Sequence, residues 1–272
     1  MAPPPDDDDS FVNRSGQLVV DRRRVLVVLS GLTAVLVVVG TASALLLRSP
    51  VPFAVESIAR LFLLNEEADV ASWWGSVLLL GCAAGFVLAS GAAPALRTRL
   101  RTLALLLVAL SMDETAIVHE RATGALALVI RGSSDSDDPL WVVVAVPLVL
   151  LVGWYLLPVL RRVPQPVRNR LWLAGALYVG GAVGVELLSA LLSGGSVLRE
   201  FAVALEEGME YAGPIVLIDA LLLLASGGPQ VRIRWAAEDA DGSDHPRPSR
   251  TREPAVGLSS SNGAQPGADG GG

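Results

Sequence analysis

The sequence predicts an all-α integral membrane protein, a bundle of six transmembrane helices with both termini in the cytoplasm. Of its 272 residues, 52% are hydrophobic and only 18% are charged, whereas soluble domains have about a quarter charged residues. The apolar residues occur in six separate blocks, each long enough for a helix to cross a hydrocarbon core of roughly 30 Å. The sequence lacks the alternation of apolar and polar residues that would predict the strands of a membrane β-barrel.

The six predicted spans are separated by polar connections. The third and sixth are the least apolar, because both contain carboxylates. The run Ala122–Ile130 after the third span either prolongs that helix or lies at the membrane interface. We predict the spans at Val25–Leu47, Ala71–Gly91, Thr102–Val118, Trp141–Leu160, Leu171–Leu192 and Glu210–Ser226.

The placement of arginine predicts the orientation, since cytoplasmic connections carry an excess of basic residues. Arginines collect before the first span, in the second and fourth connections and after the sixth span, while acids collect in the first and third connections. Both termini are therefore predicted in the cytoplasm. Residues 1–24 and 229–272 have the composition of disordered tails, and residues 25–228 form the transmembrane domain.

Composition also limits the compartment and the partners. All 21 basic residues are Arg, and Ala, Val, Leu and Gly dominate, which suggests a high-GC bacterial genome and places the chain in the bacterial inner membrane. The net charge of −6 argues against nucleic acid as a partner. The one cysteine, Cys82, excludes an intrachain disulfide and a cysteine-based zinc cluster.

Ionisable residues inside or beside the spans are the candidate functional residues, because a carboxylate near the bilayer centre costs about 3 kcal/mol. Counted by helical rise from the flanking arginines, these residues fall between the midplane and the outer face. Protonation, a water-filled cavity or a metal cation would each stabilise such a set. The residues are Asp113, Glu114, His119, Glu120, Glu186, Glu206, Glu207, Glu210 and Asp219.

We favour a divalent metal, because carboxylate oxygens with one imidazole suit Fe, Mn or Zn. Glu114 and Glu207 are then candidates for the general base of a membrane enzyme, with a lipid or a lipid-linked molecule as its substrate. Asp219 lies deepest in an apolar sequence context, within Pro214–Ala225, and could bond a polar group on a neighbouring helix. The predicted ligands are Asp113, His119, Glu120, Glu186, Glu206 and Glu210.

Two alternatives stay open. The acids resemble the outer half of a proton or cation pathway, although the cytoplasmic half of the spans offers no matching polar group. The polar residues could instead fix the packing of a non-catalytic scaffold. Single residues also have simpler roles: Glu206 and Glu207 solvated among headgroups, Glu186 protonated, and His119 as a hydrogen-bond partner.

The acidic pattern resembles a group of uncharacterised bacterial polytopic membrane proteins. The resemblance lies in Asp113-Glu114 followed by His119-Glu120, then Gly184-x-Glu186, then Glu206-Glu207-x2-Glu210. It extends over residues 25–228 and omits both tails. The resemblance implies that these residues belong to one set, and it implies no particular reaction.

Overall fold

The computed structural model of the protein is mainly helical, which confirms the all-α prediction at the level of secondary structure. Its helices are α1 (Arg22–Leu46), α2 (Phe53–Arg60), α3 (Val70–Ala92), α4 (Arg97–Ala116), α5 (Leu140–Arg162), α6 (Gln165–Val179) and α7 (Val197–Ser226). The structure describes residues 12–13, 17–64, 66, 69–118, 121–122, 124, 128, 140–185, 187, 196–227 and 230–234.

A helix of the structure overlaps each of the six predicted spans, and α2 is an additional short helix between the first two. Among the described residues, three helices are long and apolar enough to cross a membrane, namely α1, α3 and α7. The sixth predicted span differs at its start, because α7 begins at Val197 and not at Glu210. Its acids therefore lie within the helix and not at its first turn.

Side-chain caps mark where three of the helices begin. The Asp21 carboxylate accepts hydrogen bonds from the first-turn amides of α1, and the Asp69 carboxylate does the same for α3. The Ser196 hydroxyl oxygen accepts a hydrogen bond from the Arg199 amide at the start of α7. Each cap satisfies an amide that has no partner within its helix.

The segments that flank the helical domain pair with each other. Strands β1 (Val12–Asn13), β2 (Gln17–Asp21) and β3 (Gln230–Arg234) form an antiparallel sheet in the order β1-β2-β3. The register pairs Gln17 with Arg234 and Asp21 with Gln230. The prediction of disordered tails is therefore wrong for these strands, because composition reports solvation and does not detect pairing between segments far apart in the chain.

Helix α7 is the centre of the bundle, with α1, α3 and α6 packed against it and α4 packed against α3. Trp74 and Leu78 of α3 pack with Tyr211 and Ile215 of α7 in one buried cluster. The Trp74 indole N–H donates a hydrogen bond of 2.9 Å to the hydroxyl oxygen of Thr33 on α1. Three helices are thus joined beside Tyr211.

The burial pattern of α1 is the reverse of that in a soluble protein. Its buried residues are Thr33, Gly40 and Ser43, whereas Val35 and Val38 are 60% and 67% exposed. Small and hydroxyl residues at helix contacts, with branched apolar residues facing outward, are typical of helices surrounded by lipid. The surface of α1 therefore suits a hydrocarbon environment.

Gly40 provides the first test of this packing. A Cβ atom at this position would lie 2.6 Å from the Phe62 backbone oxygen and 2.6 Å from Leu64 Cγ. We expect Gly40→Ala to lower the free energy of unfolding by about 2 kcal/mol, because overpacking at a backbone contact forces a shift. Unfolding by sodium dodecyl sulfate in mixed micelles measures this change.

Gly31→Ala is the matched control on the same helix, since no atom lies within 4 Å of a Cβ built there. Alanine favours a helix over glycine by up to about 1 kcal/mol. We therefore expect this variant to be at least as stable as the parent. An equal decrease in the free energy of unfolding in the two variants would contradict the close contact of Gly40 with the Phe62 backbone.

Candidate functional site

Acidic and tyrosine side chains from three helices come together inside the bundle. Tyr211 lies one turn after Glu207 on α7, and its phenol interacts with the Glu207 carboxylate. The carboxylates of Glu114 on α4 and of Glu210 on α7 act electrostatically on Tyr211, and they act likewise on Tyr178 of α6. We call these five residues (Glu114, Tyr178, Glu207, Glu210 and Tyr211) the acid–tyrosine cluster.

The contact between α3 and α4 fixes Glu114. Its Oε1 atom lies 2.9 Å from the position that a Cβ on Gly75 would occupy, so the absence of a side chain there makes room for the carboxylate. One turn before Glu114, the Ser111 hydroxyl donates to the Ser76 carbonyl at 3.0 Å, and the Ser76 hydroxyl donates back to the Ser111 carbonyl at 2.9 Å. This reciprocal pair sets the register of the two helices.

Helix α4 ends two residues after Glu114. Its last residue is Ala116, and Ile117 takes a left-handed conformation with φ 56°. A β-branched residue is strained in that region of backbone space. The alternative of one uninterrupted helix from Thr102 through Ile130 is therefore wrong, since the helix is broken at Ile117.

Close helix contacts also position Tyr178. Helix α6 continues as a π-helical segment over Gly180–Val185, a conformation found often at functional sites. Within this segment, a Cβ on Gly181 would lie 2.8 Å from the Glu206 backbone oxygen. On the other side of the contact, a Cβ on Gly213 of α7 would lie 2.8 Å from Tyr178 Cβ. Glycines on both helices thus bring Tyr178 against the acids of α7.

Asp69 extends the acidic region to the start of α3. Its Oδ1 atom accepts hydrogen bonds from the Ala71 and Ser72 amides at 2.8 and 3.0 Å. Its Oδ2 atom is buried and has no hydrogen-bond partner within the described part of the chain. Burial raises the pKa of this carboxyl, and the two amide hydrogen bonds oppose the shift. Asp69 also acts electrostatically on Glu207.

The other predicted metal ligands differ in where the structure places them. Glu206 acts electrostatically on Glu207, its neighbour in the chain. Asp113 is partly buried in the last turn of α4, turned by about 100° from Glu114 on the helix. Among the residues that the structure describes, no three His, Cys, Asp or Glu side chains form a group able to hold a metal. His119, Glu120 and Glu186 lie outside the described residues.

Asp219 lies away from the other acids, nine positions or about 13 Å along α7 from Glu210. Its Oδ2 atom accepts a hydrogen bond of 2.5 Å from Arg170 Nε, and its Oδ1 atom lies 3.1 Å from Arg22 Nε. This position differs from the predicted one among the outer acids, since Arg22 is the first residue of α1 and Arg170 directly precedes the predicted fifth span. Helical rise measured from Arg232, the arginine that follows the sixth predicted span, does not apply here, because Arg232 belongs to β3 and α7 ends at Ser226.

The family of the chain can now be given. Residues 29–225 match the family model of a domain of unknown function, DUF8692. The chain belongs to the DUF8692 family. The match begins within α1 and ends in the last turn of α7, so that it includes the acid–tyrosine cluster and Asp219 but neither β2 nor β3. No curated protein and no solved structure is significantly similar to the chain.

Sequence reasoning did not identify Tyr178, Tyr211 and Asp69 of this DUF8692 protein as site residues. One signal was present: the protein has only three tyrosines, and Tyr211 stands four positions after Glu207, on the same helix face. Tyr178 and Asp69 approach the acids only through the packing of α6 and α3 on α7. No local pattern marks such contacts.

Proposed function

We propose that this DUF8692 protein is a multi-pass protein of the bacterial inner membrane with six spans and both termini in the cytoplasm. The pairing of β2 with β3 supports this topology. Because β2 directly precedes α1 and β3 closely follows α7, the two ends of the helical domain lie next to each other, as we expect of a bundle with an even number of crossings. The arginine-rich connections then assign both ends to the cytoplasm.

We propose further that the protein transports protons or another cation, with the acid–tyrosine cluster as the outer binding site. The observation that carries this proposal is the interaction of the buried Tyr211 phenol with the Glu207 carboxylate, while the carboxylates of Glu114 and Glu210 also act on Tyr211. Carboxylate and phenol groups in contact inside a membrane protein form the kind of relay along which protons move.

The position of Asp219 removes the main objection to transport. Transport requires polar groups in both halves of the membrane, and the sequence pattern alone places acids only in the outer half. Asp219, with Arg22 and Arg170 around it, supplies a charged group about 13 Å further along α7. One helix therefore carries ionisable side chains in both halves of the proposed pathway.

Proton flux into liposomes tests this function. Protein reconstituted with a trapped pH-sensitive dye and given a potassium diffusion potential should acidify the lumen faster than protein-free vesicles. We expect Glu207→Gln to lower the flux at least about tenfold, because an amide cannot exchange the proton. Tyr211→Phe keeps the buried ring and removes only the hydroxyl group, and it should lower the flux less.

Glu56→Gln on α2 is the control, since Glu56 is a partly exposed acid paired with Arg60 and lies outside the cluster. Its flux should equal that of the parent. Parent flux no greater than that of protein-free vesicles would contradict transport, and so would equal flux in the parent and Glu207→Gln.

A metal-dependent membrane enzyme is the second candidate. It is favoured by the number of acids near Glu207, since Asp69, Glu114 and Glu206 all act electrostatically on it and carboxylate oxygens suit divalent cations, although no three of these described side chains already form a group able to hold a metal. Elemental analysis of detergent-purified protein should then find metal that a Glu114→Ala, Glu207→Ala double variant lacks. Equal metal content in both proteins would contradict this function.

A further inference from the structure

A charged cleft of about 380 Å³ opens where α1 ends, at the end of the bundle opposite the sheet. Its polar walls are Arg48, Arg60, Glu66 and Glu200. A second cleft of about 410 Å³ shares Leu47, Arg48 and Arg60 with it and continues toward α2. Neither cleft contains a residue of the acid–tyrosine cluster.

The charges in the first cleft are of both signs and balance. Arg60 Nη1 lies 3.0 Å from Glu66 Oε1, and Arg48 Nη1 lies 3.9 Å from Glu200 Oε1. Guanidinium groups bind phosphate by paired hydrogen bonds, and carboxylates bind ammonium groups. Such a wall suits a ligand that carries a phosphate and an ammonium together, and it suits a purely anionic ligand less well.

Apolar residues complete the cleft and surround its mouth. Ala44, Leu47 and Leu63 line it. Beside it, the amphipathic helix α2 exposes Phe53 by 83% and Ile58 by 61%. A short helix with exposed apolar side chains directly after a membrane-spanning helix is typical of the membrane interface. The cleft therefore lies where headgroups meet acyl chains.

We propose that this cleft binds the headgroup of an aminophospholipid, a phosphodiester that carries a primary ammonium. Arg48 holds the phosphate, Glu66 and Glu200 hold the ammonium, and the acyl chains lie on the exposed apolar surface of α1 and α2. The proposal is independent of the transport function, because it uses other residues at another place in the fold.

Native mass spectrometry of the full chain in detergent tests the site with dioleoyl phosphatidylethanolamine and dioleoyl phosphatidylglycerol as probes. We expect the parent to retain the ethanolamine lipid about tenfold more tightly, the difference made by one charge-assisted contact. Arg48→Gln should lower the affinity for both lipids about tenfold, and Arg48→Lys should retain much of the affinity of the parent. Glu66→Gln should remove the preference and leave the glycerol lipid unaffected.

Arg161→Gln is the control, since it removes the same charge from an exposed position at the end of α5 and should change neither affinity. Equal affinity of the parent for the two lipids would overturn the proposal. An equal loss of lipid affinity in Arg48→Gln and Arg161→Gln would also overturn it. Soluble glycerophosphoethanolamine should compete only at far higher concentration than the lipid. Competition at equal concentration would assign the cleft to a free solute instead. Thermal unfolding of each variant verifies that it is folded.

Discussion

Replacing Asp219 with Asn should lower the free energy of unfolding by about 3 kcal/mol, because it leaves two arginines facing each other without their shared counter-ion. The Asp219 side chain is 13% exposed, and those of Arg22 and Arg170 are 23% and 32% exposed. At this burial, water compensates only part of the lost attraction. Unfolding by sodium dodecyl sulfate in mixed micelles gives the change.

A double variant separates the ion pairs from any general damage at the site. Arg170→Gln together with Asp219→Asn removes one of the two repelling charges. The free energy of unfolding of the double variant should therefore fall by clearly less than the sum of the decreases in the two single variants. The difference, which is the coupling energy, should be at least about 1 kcal/mol. Glu56→Gln provides the exposed reference, since the Arg60 pair lies in solvent and contributes about 1 kcal/mol or less. If Asp219→Asn lowers the free energy of unfolding no more than Glu56→Gln does, the buried ion pairs do not stabilise the fold.

This ion group explains how the ends of the bundle are held together. Asp219 joins the first turn of α1 to α6 through α7, close in the chain to the paired strands β2 and β3. Asp21 ends β2 and caps α1, so that the sheet, the cap and the ion group lie in succession. The loss of Asp219 should therefore loosen α1 first, since much of its surface faces away from the bundle.

The helices could be predicted because long apolar runs depend only on local composition. The start of α7 was missed, since Glu206, Glu207 and Glu210 lower the hydropathy of a segment that is helical from Val197. The strands β2 and β3 were missed for a different reason. Their pairing joins segments more than 200 residues apart, and five-residue strands carry too little local pattern to reveal it.

The candidate site was partly accessible from the sequence. Residue type and helical rise identified Glu114, Glu207 and Glu210 as acids at a related depth. Whether these side chains face Tyr178 depends on the packing of α6 against α7. The hydrophobic periodicity of the sequence does not encode that packing. Asp219 illustrates the limit of counting by rise, because one left-handed residue, Gly227 with φ 63°, ends the helix before the arginine from which the count began.

The contact between α6 and α7 provides the second large prediction, since Gly213 allows the two helices to touch. A Cβ at this position would lie 2.8 Å from Tyr178 Cβ, 3.0 Å from the Ala174 oxygen and 3.0 Å from the Tyr178 nitrogen. Two of these are backbone atoms and cannot rotate away. We expect Gly213→Ala to cost about 2–3 kcal/mol of stability, measured by unfolding in mixed micelles.

Gly208→Ala on the same helix distinguishes this contact from an effect of alanine itself, because no atom lies within 4 Å of a Cβ built at Gly208. That variant should be unchanged or more stable by up to about 1 kcal/mol. Only Gly213→Ala moves Tyr178 away from Glu207 and Glu210, so it alone should also lower proton flux in the protein that remains folded. A Gly213→Ala variant that unfolds earlier but transports at the parent rate per folded molecule would show that Tyr178 packs against the acids without taking part in the relay.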